Sequence, residues 1–237
     1  MLREGDGPSS DGRKTRVSAE FRGCVDVGAG LVGLLLGLVA GPVADRIATN
    51  APARLPLLAS APLSRHVLLV TTSAALLAGG CGLEFGFTFE ALIACAFCWI
   101  LVVITRTDFE HRLIPNRVVL PGAVVVLVAR TLDHPSVGWI AAALGAGLVL
   151  FVIALLYPAG MGMGDVKLAF FLGAGLGLAV VVALFAGFVA AFLPALVLLV
   201  RHGSEARKRT IPFGPYLALG GVIALFVGDQ IIDWYLG

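Results

Sequence analysis

Charge is the scarcest commodity in this 237-residue chain. Only 14% of its residues are charged, with 17 Lys and Arg against 15 Asp and Glu, where a soluble domain carries about 25%. So little polar surface excludes an ordinary water-soluble globule. A net charge of +2 is too small to suggest a nucleic-acid surface. Aromatic residues are few, at 8%, and there are only four cysteines: Cys24, Cys81, Cys95 and Cys98. Cys95 and Cys98 form a C-x-x-C inside an apolar run. No second pair exists to complete a zinc site, so they are expected to be helix-packing residues. No small-residue cleavage site follows the first apolar run, which argues against a cleavable signal peptide.

What the chain does have is apolar length. Hydrophobic residues make up 59% of it, and 30 glycines are spread along it. Small residues let helices approach closely in lipid. The composition predicts an all-α, polytopic transmembrane bundle in one domain over residues 23–237, after a disordered polar tail over 1–22. A span needs roughly 17–25 residues. Helices are expected near 25–45, 64–82, 86–105, 117–132, 136–157, 165–178, 179–200 and 212–235. That makes eight, or seven if 165–200 is not divided; Gly173-Ala-Gly-Leu-Gly177 is the natural break.

Loop charges set an orientation. Numbering loops after each helix, the odd ones hold Arg46, Arg54, Arg65, Arg106, Arg112, Arg117, Lys167, Arg201, Arg207, Lys208 and Arg209. The even ones hold only Arg130. By the positive-inside rule the odd loops are cytoplasmic. The amino-terminal tail, with Arg3, Arg13, Lys14, Arg16 and Arg22, disagrees, since this topology puts it outside. The later loops agree with one another and carry the assignment.

Two short stretches carry the chemistry: Asp108-Phe-Glu-His-Arg-Leu-Ile-Pro115 and Gly162-Met-Gly-Asp165. Each sets an aspartate at the mouth of an apolar segment, where charge is costly and kept for a purpose. Asp108 is expected in the last turn of the third helix or just past it, with Pro115 and Asn116 breaking the chain after it. Alone, it could be an ordinary acid paired with Arg106 or Arg112. Asp165 could be a simple helix cap. A cap does not explain three glycines at alternate positions, which permit close backbone approach.

Both acids fall in odd loops and so share a membrane face. Two carboxylates roughly 3 Å apart cannot both ionise. One can then act as general base on a water while the other donates to a scissile carbonyl. Such a pair titrates as a unit. It requires the third and sixth helices to be neighbours. Glu110, His111 and Arg112 read as solvated loop residues or substrate contacts, His66 and His202 as interfacial, and Glu84 and Glu90 as structural. Asp229 and Asp233 fall far from the pair. Asp45 and Arg46 are candidates to face a cytoplasmic cavity.

With these motifs in hand, the chain resembles the type IV prepilin peptidases, a group of GxGD membrane aspartyl proteases. Asp108 to Pro115 resembles the first aspartate motif, and Gly162-Met-Gly-Asp165-Val-Lys167 the second. Thr210-Ile-Pro-Phe-Gly-Pro-Tyr-Leu-Ala-Leu-Gly220 resembles the segment opening the family's last helix. The likeness covers about residues 25–236. It implies Asp108 and Asp165 as catalytic residues, acting without a metal. Gly162, Gly164, Lys167, Pro115, Glu110 and Arg112 are expected to support them or touch substrate. The implied substrate is a prepilin or pseudopilin, cut at the cytoplasmic face of the inner membrane just before its apolar helix. The long form of the family has a large first cytoplasmic domain with paired C-x-x-C zinc ligands, linked to N-methylation. Here the first loop, Ala48 to Ser64, has no cysteine. Zinc and S-adenosylmethionine are therefore not expected, and peptidase activity alone is. Membrane lipids are the other expected partners, and no nucleic acid. The rival reading is an ion- or proton-coupled transporter using the same acids.

Overall fold

The protein is described by a computed structural model covering residues 10–52, 56–57, 66–158, 161–202 and 212–237, without the side chains of residues 10–22 and Cys24. Among these residues the secondary structure is helical throughout. Helix α1 runs Ser10–Asn50, α2 Val67–Phe85, α3 Phe89–His111 and α4 Asn116–Asp133. Then come α5 Gly138–Leu156, α6 Met163–Leu176, α7 Val180–His202 and α8 Gly214–Leu236. A single 3₁₀ turn, Gly177–Ala179, separates α6 from α7. All eight expected helices are present and α6 and α7 are divided, as the glycine run predicts.

Helix α1 differs from expectation at its start. It begins at Ser10, so residues 10–22, expected as disordered tail, continue its backbone as helix; residues 1–9 lie outside the described residues. Extending an existing helix costs far less than starting one, and Arg13, Lys14, Ala19 and Glu20 are good helix formers. Much of the first loop also lies outside the described residues.

Six segments are long and apolar enough to cross a membrane: Val25–Asn50, Val67–Phe85, Phe89–His111, Gly138–Leu156, Met163–Arg201 and Gly214–Leu236. The chain is a polytopic helical membrane protein. Helix α4, which carries Arg117, Arg130 and Asp133, is not one of the six. Helices α6 and α7 lie within one continuous apolar stretch.

With no hydrophobic drive between helices in lipid, close contact must supply the adhesion. The most extensive pairings are α1 with α2, α5 with α6 and α7 with α8, and each has a glycine at its seam. A Cβ on Gly33 would lie 2.3 Å from the Ala78 carbonyl oxygen, one on Gly173 2.5 Å from that of Ala142, and one on Gly220 2.1 Å from that of Ala183. Any larger residue would force these helices apart.

Helix α3 is the centre of the bundle, packing on α1, α2, α4, α6 and α8. Phe97 of α3 stacks on Phe171 of α6 at 4.9 Å between ring centroids, and both are fully buried. The Trp99 indole N–H donates to the Ala40 carbonyl of α1 at 3.0 Å. This neighbourhood sets the end of α3 beside the beginning of α6.

The far end of the bundle is locked separately. Arg130 is buried. It donates through Nε to the Gly175 carbonyl at 3.0 Å and through a terminal nitrogen to Glu90 at 2.9 Å. Its guanidinium also lies 5.2 Å from the Trp139 ring centroid. Glu90 has the structural role expected of it.

Candidate active site

The last turn of α3 carries Asp108, buried at 6% exposure. The helix reaches His111 and closes on Arg112, whose N–H donates to the Asp108 carbonyl at 2.9 Å. Arg112 has φ 50°, the left-handed region that only a few non-glycine residues occupy. The chain turns there, and Pro115 caps α4. Asp108 takes part in no ion pair among the described residues. The Arg106 partner considered from sequence is engaged elsewhere, with Asp45 and Glu110.

Asp165 stands in the first turn of α6 and is half-buried. Its N–H donates to the Gly162 carbonyl at 3.1 Å, and the Gly162 N–H donates back to Oδ2 of Asp165 at 3.3 Å. The cap reading of Asp165 is thus correct as far as it goes. The glycine between them does something further. A Cβ on Gly164 would lie 3.0 Å from Cβ of Ile114, so the second motif packs directly on the first. Lys167 adds another tie, donating to Oδ1 of Asn116 at 2.8 Å.

The third stretch closes the site. The Gly214 N–H, at the start of α8, donates to Oδ2 of Asp108 at 3.0 Å. A Cβ at Gly214 would fall 2.8 Å from that same oxygen. The first amides of a helix have no partner inside it and sit at the positive end of its dipole. Two helix N-termini therefore converge, α8 on Asp108 and α6 on Asp165. Both acids lie at the same end of the bundle, as the loop arrangement requires.

The remaining expected residues divide. Gly164 and Lys167 join the two motifs, while Gly162 bonds Asp165 within the second and Pro115 caps α4. Glu110, by contrast, is exposed and ion-paired with Arg106 one turn back, with His111 Nε2 at 3.5 Å. Arg112 is exposed at the turn. Gly214 was not singled out from sequence, although its segment was. The signal was a glycine followed by proline, facing an acid more than a hundred positions earlier, and nothing local announces that contact. Asp45 is fully buried with Arg106 Nε 3.6 Å from its Oδ1.

A groove of about 870 Å³ opens between α2, α3 and α8, along the face of α3 that carries Arg106. His66, Thr105, Arg106 and Glu110 line it together with Phe109 and Pro215, and Leu69, Leu76, Leu101 and Leu219 are among the apolar side chains in its walls. The neighbours of Asp108 and Gly214 in the chain thus form part of its wall.

These features define a class: a polytopic helical membrane protein in which two aspartates, from helices distant in sequence, lie at the same end of the bundle on motifs that touch. Residues 95–200 match the type IV leader peptidase family. The stretch contains both aspartate motifs. Full-length comparison agrees: the chain is 34% identical over 185 residues to the prepilin leader peptidase/N-methyltransferase of Legionella pneumophila, covering 74% of this chain and 64% of that one. For the protein of the same name in Pseudomonas aeruginosa the identity is 35% over 185 residues, with 74% and 63% covered. The Bacillus subtilis protein of that name is 35% identical over 160 residues, with 65% and 63% covered. The chain belongs to the type IV leader peptidase family. It spans slightly under two thirds of the length of these relatives. No solved structure matches it.

Proposed function

We propose that this protein is a membrane-embedded aspartic endopeptidase that removes the leader peptide of type IV prepilins or pseudopilins, with Asp108 and Asp165 as its catalytic pair. The observation that carries this is that both acids lie at one end of the bundle, on motifs that pack against each other. Three sequence-distant segments bind there: Ile114 against Gly164, Lys167 to Asn116, and Gly214 to Asp108.

The chemistry follows from two carboxyls sharing a proton. The ionised one takes a proton from water as that water attacks the scissile carbonyl. The protonated one donates to the carbonyl oxygen. As the tetrahedral intermediate collapses the roles exchange, and the leaving amine takes a proton. Gly214 and Gly162 N–H groups hold one oxygen of each carboxyl, leaving the other for substrate and water.

No metal or S-adenosylmethionine step belongs to this reading. The C-x-x-C of Cys95 and Cys98 lies within α3, where Cys98 is buried 3.9 Å from Cys81. Among the described residues no cluster of His, Cys, Asp or Glu could hold an ion. The proposed setting is the inner membrane with the site facing the cytoplasm, supported by the basic odd loops. Nothing in the fold favours the transporter alternative: both acids lie at one end rather than at the middle of a helix.

Incubation of the purified protein with a prepilin, followed by mass spectrometry of the new amino terminus, tests the proposal. A single cut before the apolar helix is expected, with no added methyl group. An uncut prepilin, with the enzyme folded in detergent, overturns the reading.

A further inference from the structure

Asp45 is the most deeply buried acid in the described structure, at 0% exposure, yet the reaction above does not use it. It sits near the end of α1 in the stretch Ala44-Asp45-Arg46-Ile47, with Ala44 and Ile47 also buried. An ionisable group there is costly and implies a task and a partner. On α3 that partner is Arg106, itself 9% exposed, with Nε 3.6 Å from Asp45 Oδ1. That Nε makes no hydrogen bond, so the attachment is electrostatic. The other side of the guanidinium pairs with Glu110.

A buried ion pair is a poor stability device, because desolvation cancels much of the attraction. Its value lies in fixing a unique arrangement, and the arrangement here concerns Asp108. Residues two apart on a helix project about 200° from each other. Arg106 and Asp108 therefore leave α3 on nearly opposite sides of one turn. Asp108 opens the last turn of the helix, beyond which the backbone carbonyls lack helical partners. From one side, α8 holds Asp108 through the Gly214 N–H. From the other, α1 holds Arg106 through Asp45. Rolling or tilting the end of α3 would break one grip or the other.

We propose that Asp45 is a positioning residue: by anchoring Arg106 it fixes the angular setting of Asp108 toward Asp165. The inference rests on the catalytic reading of the two aspartates. Misplacement of a reacting group by about 1 Å can cost on the order of 100-fold in rate, so the pair acts on kcat.

The test uses the purified full chain and a prepilin substrate. Asp45→Asn keeps the shape and removes the charge. Asp45→Leu combined with Arg106→Met replaces the pair by apolar side chains, a change that is often neutral or stabilising for the fold. The double variant is expected to keep the parent Tm in detergent within a few degrees and Asp45→Asn to melt lower while still folding, and both to lose about 10- to 100-fold in kcat. The KM of Asp45→Asn should stay near the parent value. Arg106→Lys, which keeps the charge but cannot bridge Asp45 and Glu110 together, should fall between. A folded Asp45→Asn with parental kcat, or one altered only in KM, overturns the proposal. Asp108→Asn separates the two readings: if it stays active, the catalytic assignment itself fails. If it is dead while Asp45→Asn is fully active, only the positioning role is lost.

Discussion

The amide of Gly214 and the carboxylate of Asp108 are 3.0 Å apart, joined across 106 positions of sequence. That hydrogen bond makes the first turn of α8 part of the site, and the lack of a side chain at Gly214 is what permits it. Gly214→Ala would put a methyl group 2.8 Å from Oδ2 of Asp108. Overpacking of this kind costs typically about 1–3 kcal/mol. Here the strain falls on a member of the proposed catalytic pair, so prepilin cleavage should drop at least tenfold (roughly, from the cost of misplacement) with only a modest fall in Tm. Steady-state kinetics and thermal melting in detergent check both halves.

Substitution of either aspartate is the most direct measurement. Asp108→Asn and Asp165→Asn each remove the proton exchange that the mechanism needs. General acid–base steps contribute about 10²–10⁴-fold, and a loss of that size or larger is expected from each variant. The double variant should be no worse than the poorer single one, because members of one catalytic unit are not additive. Leader removal from a co-expressed prepilin, read on a gel with enzyme levels matched, decides it.

Gly164 and Ile114 offer a complementary pair. A Cβ at position 164 already meets Ile114 at 3.0 Å, so Gly164→Val should separate the two motifs and abolish most cleavage. Ile114→Ala removes the obstacle. The combination of Gly164→Val with Ile114→Ala is expected to recover part of what Gly164→Val alone loses. Strict additivity in a double-mutant cycle would show that the contact does not set the register of the site.

Lys167 should matter less than its place in the motif suggests. Its link to Asn116 at 2.8 Å is exposed, and such hydrogen bonds contribute about 0.5–1.5 kcal/mol net. Lys167→Met is expected to lower kcat by less than about tenfold, with stability nearly unchanged. A complete loss in a folded Lys167→Met variant would assign the ammonium a direct part in chemistry.

Arg130 gives the opposite pattern. Arg130→Met leaves Glu90 and the Gly175 carbonyl without their buried donor, and breaking such an arrangement costs about 3–5 kcal/mol. A marked fall in Tm or in membrane abundance should follow. The specific activity of the folded fraction should hold, since this lock lies at the far end of the bundle.

The order of helices was legible in the sequence because apolar runs punctuated by Pro, Gly and charge leave little freedom in lipid. The division at Gly177 was readable for the same reason: the residue adopts φ 58° against the Trp139 ring. Asp108 and Asp165 stood out because each is an acid where an acid is expensive. The start of α1 was not legible, since a polar segment can continue a helix without any apolar period. Nor were the partners of Arg106 and Asp108, which come from α1 and α8. Such contacts are set by how helices pack, and local patterns of polarity do not encode them. Glu110 reads from sequence as solvated or as a substrate contact; it is exposed, and its ion pair with Arg106 one turn earlier is what the sequence left out.

The dependence of Asp108 on α8 also bears on biosynthesis. Both α3 and α6 precede Gly214 in the order of synthesis. Until the final helix inserts, the nascent polypeptide has both acids but no amide to restrain the first. In the proposed reading, assembly of the site is thereby tied to completion of membrane integration, and a chain stalled ahead of α8 is expected to leave prepilin uncut.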